Sequence, residues 1–91
     1  MYTAKPTTKF AKDLKRVEKR GFAIDSLTEV IKKLAGGEKV EEKYQDHPLK
    51  GNYSGCRECH ITPDWLLIYK IVEAKLLLYL TRTETHSDLY G

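Results

Sequence analysis

The sequence has no long apolar run. Its longest uninterrupted stretches, Trp65–Tyr69 and Leu76–Leu80, have five residues each, far short of the ~20 residues that a membrane-crossing helix needs. The opening residues, Met1-Tyr2-Thr3-Ala4-Lys5-Pro6, lack the apolar core of an export signal, so a cytoplasmic protein is the expectation. Cysteine is scarce. Two residues, Cys56 and Cys59, cannot supply the framework of a disulfide-stapled mini-protein. No low-complexity segment and no internal repeat is present. Length excludes more: 91 residues give room for one domain, spanning 1–91, and not for a multidomain enzyme. A domain of this size buries roughly 60–65% of its unfolded surface. A partner that shields apolar surface would therefore stabilise it.

What is present suits a globular chain. Hydrophobic residues make up 41% and charged residues 32%, which is too apolar for a disordered segment. The net charge of +3 is unevenly spread. Residues 1–37 carry nine basic and four acidic side chains, whereas residues 38–46 carry two and four. A basic N-terminal third is a footprint that fits a phosphate-rich partner, and equally a solvated helix face.

The periodicity predicts an α+β architecture. Tyr2–Lys5 reads as a short strand ended by Pro6. Thr7 or Thr8 can cap a helix in which Phe10, Ala11, Leu14 and Val17 recur at helical spacing and Gly21 is the stop. Asp25 or Ser26 would start a second helix, Ser26 and Glu29 fitting a capping box. Leu27, Val30, Ile31 and Leu34 are its apolar stripe, and Gly36-Gly37 ends it. The short link makes the helices an antiparallel pair. Residues 36–53 show no convincing period. Cys56–Ile61, Trp65–Val72 and Lys75–Arg82 then read as strands joined by short turns, an antiparallel meander that the helix pair can cover. The tail from Thr83 reads as polar up to Leu89-Tyr90.

Cys56-Arg57-Glu58-Cys59-His60 has the spacing of a haem-attachment motif. A strand, however, puts Cys56, Glu58 and His60 on one face and Arg57, Cys59 and Ile61 on the other. The sulfurs then point apart and cannot share a disulfide or a metal without a break in the strand. Two ordinary reduced cysteines are the expectation, with no cofactor and no metal.

The histidines are placed more suggestively. His47 lies beside Asp46 in the long loop, His60 ends a strand just before the turn holding Asp64, and His86 follows Arg82 at the end of the last strand. A meander brings these strand ends to one rim. Imidazoles can remove and deliver protons near neutral pH. Arginine can hold a phosphate and offset developing negative charge. RNA supplies its own nucleophile, the 2′-hydroxyl, so such a set suits metal-independent RNA cleavage. A non-catalytic nucleic-acid-binding or protein-binding module is the competing reading.

Asp46-His47-Pro48-Leu49-Lys50-Gly51, Arg57-Glu58-Cys59-His60-Ile61, Pro63-Asp64-Trp65-Leu66-Leu67-Ile68-Tyr69-Lys70 and Arg82-Thr83-Glu84-Thr85-His86-Ser87-Asp88-Leu89-Tyr90 together resemble the YafQ-like branch of the RelE/ParE toxin superfamily. The resemblance is specific from Asp46 onward. It implies two N-terminal helices packed on a small antiparallel sheet, and the toxin half of a type II toxin–antitoxin pair. It implies an endoribonuclease that cuts mRNA in the ribosomal A site and leaves a 2′,3′-cyclic phosphate. The implied catalytic positions are His47 or His60 as general base, Asp64 assisting, His86 as general acid and Arg82 at the phosphorane. Trp65, Tyr90 and Lys50 are the implied substrate contacts, Trp65 being equally suited to anchor the core. The implied partners are a neutralising antitoxin of the DinJ/RelB kind and the ribosome with its mRNA and rRNA. Two departures stand out: Glu84 where relatives usually have glycine, and Tyr90 where they usually have phenylalanine.

Overall fold

The computed structural model describes residues 1–90, and the side chains of residues 1–89. Strand β1 (Thr3–Pro6) leads into helix α1 (Thr8–Lys19) and then helix α2 (Ile24–Ala35). After an irregular stretch come β2 (His47–Pro48), β3 (Arg57–His60), β4 (Trp65–Val72), β5 (Leu77–Thr85) and a final short helix, α3 (His86–Tyr90). The five strands form one sheet in the order β1-β5-β4-β3-β2.

The meander of β3, β4 and β5 is antiparallel, as the short turns require. The sheet as a whole is mixed, because β1 pairs with β5 in parallel. This corrects the all-antiparallel expectation. Parallel pairing needs a long crossover, and the chain between β1 and β5 includes both helices and the rest of the sheet.

Helix α1 follows its sequence signals. The Thr7 side chain accepts from the Phe10 N–H at 3.1 Å and caps it. Gly21, at φ +82°, ends it. Helix α2 starts one or two residues earlier than expected, with Ala23 at the cap and no side-chain capping bond. Ser26 is already inside the first turn. Ile24 packs against the core, and that burial outweighs the local capping preference.

Both helices feed one core. Phe10, Val17, Leu27, Val30 and Leu34 meet Cys59, Trp65, Leu67, Tyr69, Leu78 and Leu80 from the sheet. Beyond Pro6 the β1 side of β5 has no paired strand among the described residues, and α1 covers that edge instead. The Thr7 hydroxyl donates to the Thr81 carbonyl at 2.9 Å, and the Thr83 N–H donates to Asp13 Oδ2 at 3.2 Å. A covered edge cannot recruit another strand.

One irregularity decides what faces the site. Ile68 pairs with Arg82 but Tyr69 pairs with Leu80, so Thr81 is an extra residue in β5. Leu78 and Leu80 point into the core. In an unbroken strand Arg82 would share their face. The bulge reverses the phase, putting Thr83 and Thr85 on the core side and Arg82 and Glu84 on the opposite face.

The last strand also runs further than its apolar run, to Thr85. Thr83 is tolerated there because its hydroxyl accepts from Trp65 Nε1 and donates to the Leu66 carbonyl, each at 2.9 Å.

Candidate active site

The face away from the helix-packed core has an apolar floor with ionisable groups along it. Leu66 and Ile68 are fully buried on this face. The register sets Glu58, Ile68 and Arg82 on one rung, and His60, Leu66 and Glu84 on the next. His47, on β2, pairs with Glu58. Arg82 thus lies two strand spacings from Glu58, about 10 Å across the sheet between their backbones.

At one side of the floor sit two imidazoles and a carboxylate. His47 Nε2 is 3.0 Å from Glu58 Oε2, and His60 Nε2 is 3.9 Å from the same oxygen. The two rings are 6.1 Å apart between centroids. Hydrogen-bond logic assigns the ring nitrogens. His47 Nδ1 lies 2.6 Å from the Gln45 carbonyl and His60 Nδ1 3.3 Å from the Pro63 carbonyl. A carbonyl only accepts, so both Nδ1 atoms carry hydrogen. Both Nε2 atoms therefore aim their chemistry at Glu58. The contact from His47, at 3.0 Å, is the shorter of the two. Glu58 is 5% exposed. The sequence reading placed it on this face but gave it no role; its alternation with Cys59 and proximity to a histidine-bearing strand were the available signal.

At the other side Arg82 is held by carboxylates. Its Nε donates to Asp13 Oδ2 at 2.6 Å and its Nη2 to Asp13 Oδ1 at 3.1 Å. Nη2 is also 3.5 Å from Glu84 Oε2, and Nη1 is 3.5 Å from the Tyr53 hydroxyl. Arg16 reaches Glu84 from α1. The bonds to Asp13 hold the Arg82 guanidinium firmly in its charged form. Two guanidiniums thus face two carboxylates. Asp13 was missed from sequence because it sits among the apolar positions of α1, between Phe10 and Val17, where a charge is not expected.

The remaining residues divide. His86 begins α3, and its N–H donates to the Asp64 carbonyl at 2.9 Å, so these two share the rim as expected. Lys50 is exposed on the β2–β3 connection. Tyr90 lies outside the residues whose side chains are described. Trp65 departs from its implied substrate role. It is 2% exposed, packs edge-to-face on Phe22 at 5.1 Å, and gives its indole hydrogen to Thr83. Its alternation puts it on the core face, where a base could not stack on it, so it is a core anchor.

The cysteines behave as ordinary thiols. Both are free, Cys59 in the core and Cys56 half-buried. Burial pushes the Cys59 thiol up to about 12, with Asp46 and Glu58 adding to it. Among the described residues, the group able to hold a metal is His47, Glu58 and His60, whose ligand atoms lie within 4.8 Å of one another. Two imidazoles and a carboxylate suit zinc or copper; of the Cys56–His60 motif, Glu58 and His60 are in this group and the two cysteines are not.

Fold and site together define a small α+β domain that carries imidazoles, a carboxylate and an arginine on one sheet face. Residues 2–91 match the family described as "Bacterial toxin of type II toxin-antitoxin system, YafQ". The chain belongs to that YafQ family. It is 37% identical over 83 residues to the mRNA interferase toxin YafQ of Escherichia coli K12, covering 90% of this chain and 88% of that one. YafQ in the E. coli DinJ–YafQ complex superposes with a TM-score of 0.91 at 34% identity, each chain covered in full. A metal-bound toxin from Helicobacter pylori superposes with a TM-score of 0.92 at 43% identity, covering 99% of this chain and 100% of that one.

Proposed function

We propose that this chain, like the E. coli relative named an mRNA interferase, is an endoribonuclease, and that it cuts mRNA in the ribosomal A site. The nucleophile is the RNA 2′-hydroxyl, which attacks the adjacent phosphorus and expels the 5′-oxygen, leaving a 2′,3′-cyclic phosphate and a 5′-hydroxyl. The observation that carries this reading is the single sheet face shared by His47, Glu58, His60 and Arg82, which come from three different strands.

His60 removes the 2′-hydroxyl proton. Its Nδ1–H is anchored on Pro63, which leaves Nε2 as the acceptor. Arg82 offsets the charge of the pentavalent phosphorane, and His86, with Asp64 at the same rim, protonates the leaving oxygen. Lys50 and the exposed lysines of α1 meet phosphates of mRNA and rRNA, and the ribosome holds the substrate in a reactive pose. A DinJ-like antitoxin neutralises the toxin in the cytoplasm. The residues that suit metal are the same His47, Glu58 and His60. An ion there would occupy the lone pairs that proton transfer needs, and so inhibit.

The pairing of Arg82 with Glu84 favours a second reading, a relative that binds antitoxin without cutting RNA. Primer extension on a reporter mRNA separates the two. Cells making the wild-type chain should arrest and show new 5′ ends within coding sequence, while folded His86→Ala and His60→Gln proteins show none. Cleavage surviving both substitutions would refute the catalytic assignment. A folded, antitoxin-binding wild type that never cuts would establish the second reading.

A further inference from the structure

Arg82 is oriented by a residue outside the meander. Asp13, in α1, is 2% exposed and takes two parallel hydrogen bonds from the guanidinium, at 2.6 and 3.1 Å. The same carboxylate accepts the N–H of Thr83, the residue next to Arg82, at 3.2 Å. A fork-to-fork pair fixes the plane of a guanidinium. The bond to Thr83 fixes the carboxylate relative to the strand that carries the arginine. The Nε and Nη2 edge of Arg82 is thereby engaged, and the Nη1 edge lies toward Tyr53.

Stability alone is a poor reason for this arrangement. Asp13 lies between Phe10 and Val17 on the buried side of α1. Well-packed apolar residues commonly replace a buried ion pair with no loss of stability, because desolvation offsets the attraction. What apolar residues cannot do is aim a cation. The pair also sits beside the bulge that turns Arg82 toward the imidazole-bearing face.

We propose that Asp13 is a positioning residue for RNA cleavage: it holds the guanidinium of Arg82 so that the Nη1 edge meets the scissile phosphate. This rests on the reading of Arg82 as the phosphate group's partner.

The test is a double-mutant cycle in ribosome-programmed cleavage of a defined mRNA, with purified wild type, Asp13→Asn, Arg82→Ala and the double variant, each checked for folding by circular dichroism. Misplacing a catalytic group by about 1 Å can cost on the order of 100-fold. Asp13→Asn should lower kcat by about 10- to 100-fold with little change in KM. In the Arg82→Ala background it should lower kcat no further. An equal loss in both backgrounds, or wild-type kcat in Asp13→Asn, would overturn the proposal. If Asp13→Asn does not fold, Asp13→Glu keeps the charge but displaces the guanidinium by a methylene. A folded Asp13→Glu with wild-type kcat overturns the proposal too. Wild-type cleavage by Arg82→Ala would instead remove the role of Arg82 itself, and the positioning role with it.

Discussion

Glu84 sets a carboxylate 3.5 Å from Nη2 of the arginine that would meet phosphate. It is 2% exposed and also paired with Arg16. A glycine there would leave Arg82 with Asp13 as its sole carboxylate partner. Glu84 instead balances the local charge and acts as an internal rival to substrate. Two opposite effects follow from Glu84→Gln. Stability should fall by about 1–3 kcal/mol, because two guanidiniums lose a charged partner and Arg16 is half-exposed. KM for RNA should fall by about three- to tenfold, as roughly 0.7–1.4 kcal/mol of repulsion is removed. Urea titration and single-turnover cleavage measure the two separately. A stability loss with no change in KM would leave Glu84 a purely structural residue.

At the scale of elements, Thr7 joins helix to sheet. Its side chain caps α1 through the Phe10 N–H, and its hydroxyl hydrogen goes to the carbonyl of the bulge residue Thr81. Thr7→Ala should cost about 1–2 kcal/mol, the loss of a cap and of a partner for a part-buried carbonyl. Thr8→Ala, at an exposed first helical position, should stay within about 0.5 kcal/mol of wild type. Equal midpoints for the two variants in urea would show that the cap contributes nothing. The threonine pair marked this helix start in the sequence, and Gly21 and Gly36-Gly37 marked the helix ends, because capping and positive φ are local requirements. The meander was legible for the same reason, through alternation and turn residues. The helix-to-strand edge, the parallel pairing of β1 with β5 and the bulge were not. Each depends on what a residue meets far along the chain. Arg82 was recognisable as a candidate by type and position. Its face, and its dependence on Asp13, follow from one extra residue that carries no signature in composition. Glu58 was hidden for a related reason: a buried carboxylate looks like any surface carboxylate until a histidine from another strand is placed 3.0 Å away.

For the whole molecule, charge and burial pull in different directions. The exposed lysines of α1, Lys9, Lys12, Lys15 and Lys19, give it a basic side suited to nucleic acid or to an acidic antitoxin. The core, by contrast, depends on two ionisable groups staying neutral. Cys59 and Tyr69 are essentially unexposed. Burial raises both, and the bond from the Tyr69 hydroxyl to Asp46 raises the phenol further. In the unfolded chain they ionise around 9.0 and 10.0, while in the folded protein Cys59 holds its proton to about 12 and Tyr69 also holds on well above its ordinary value. A folded pKa above the unfolded one gives stability that is fully present below the unfolded value and lost as pH rises through the folded one. These two groups should therefore add no slope to the stability profile up to about pH 9 and weaken the protein above it. Each group adds a slope of up to about 1.4 kcal/mol per pH unit. Urea midpoints measured between neutral pH and the alkaline range should show this decline. In Cys59→Ala the onset should move toward the tyrosine's range, and in Tyr69→Phe the slope beyond it should shrink. A profile that stays level past the thiol's unfolded range would mean that water or a carboxylate rearrangement lets the core ionise without cost, and the dry core described by the register would have to be redrawn around Asp46.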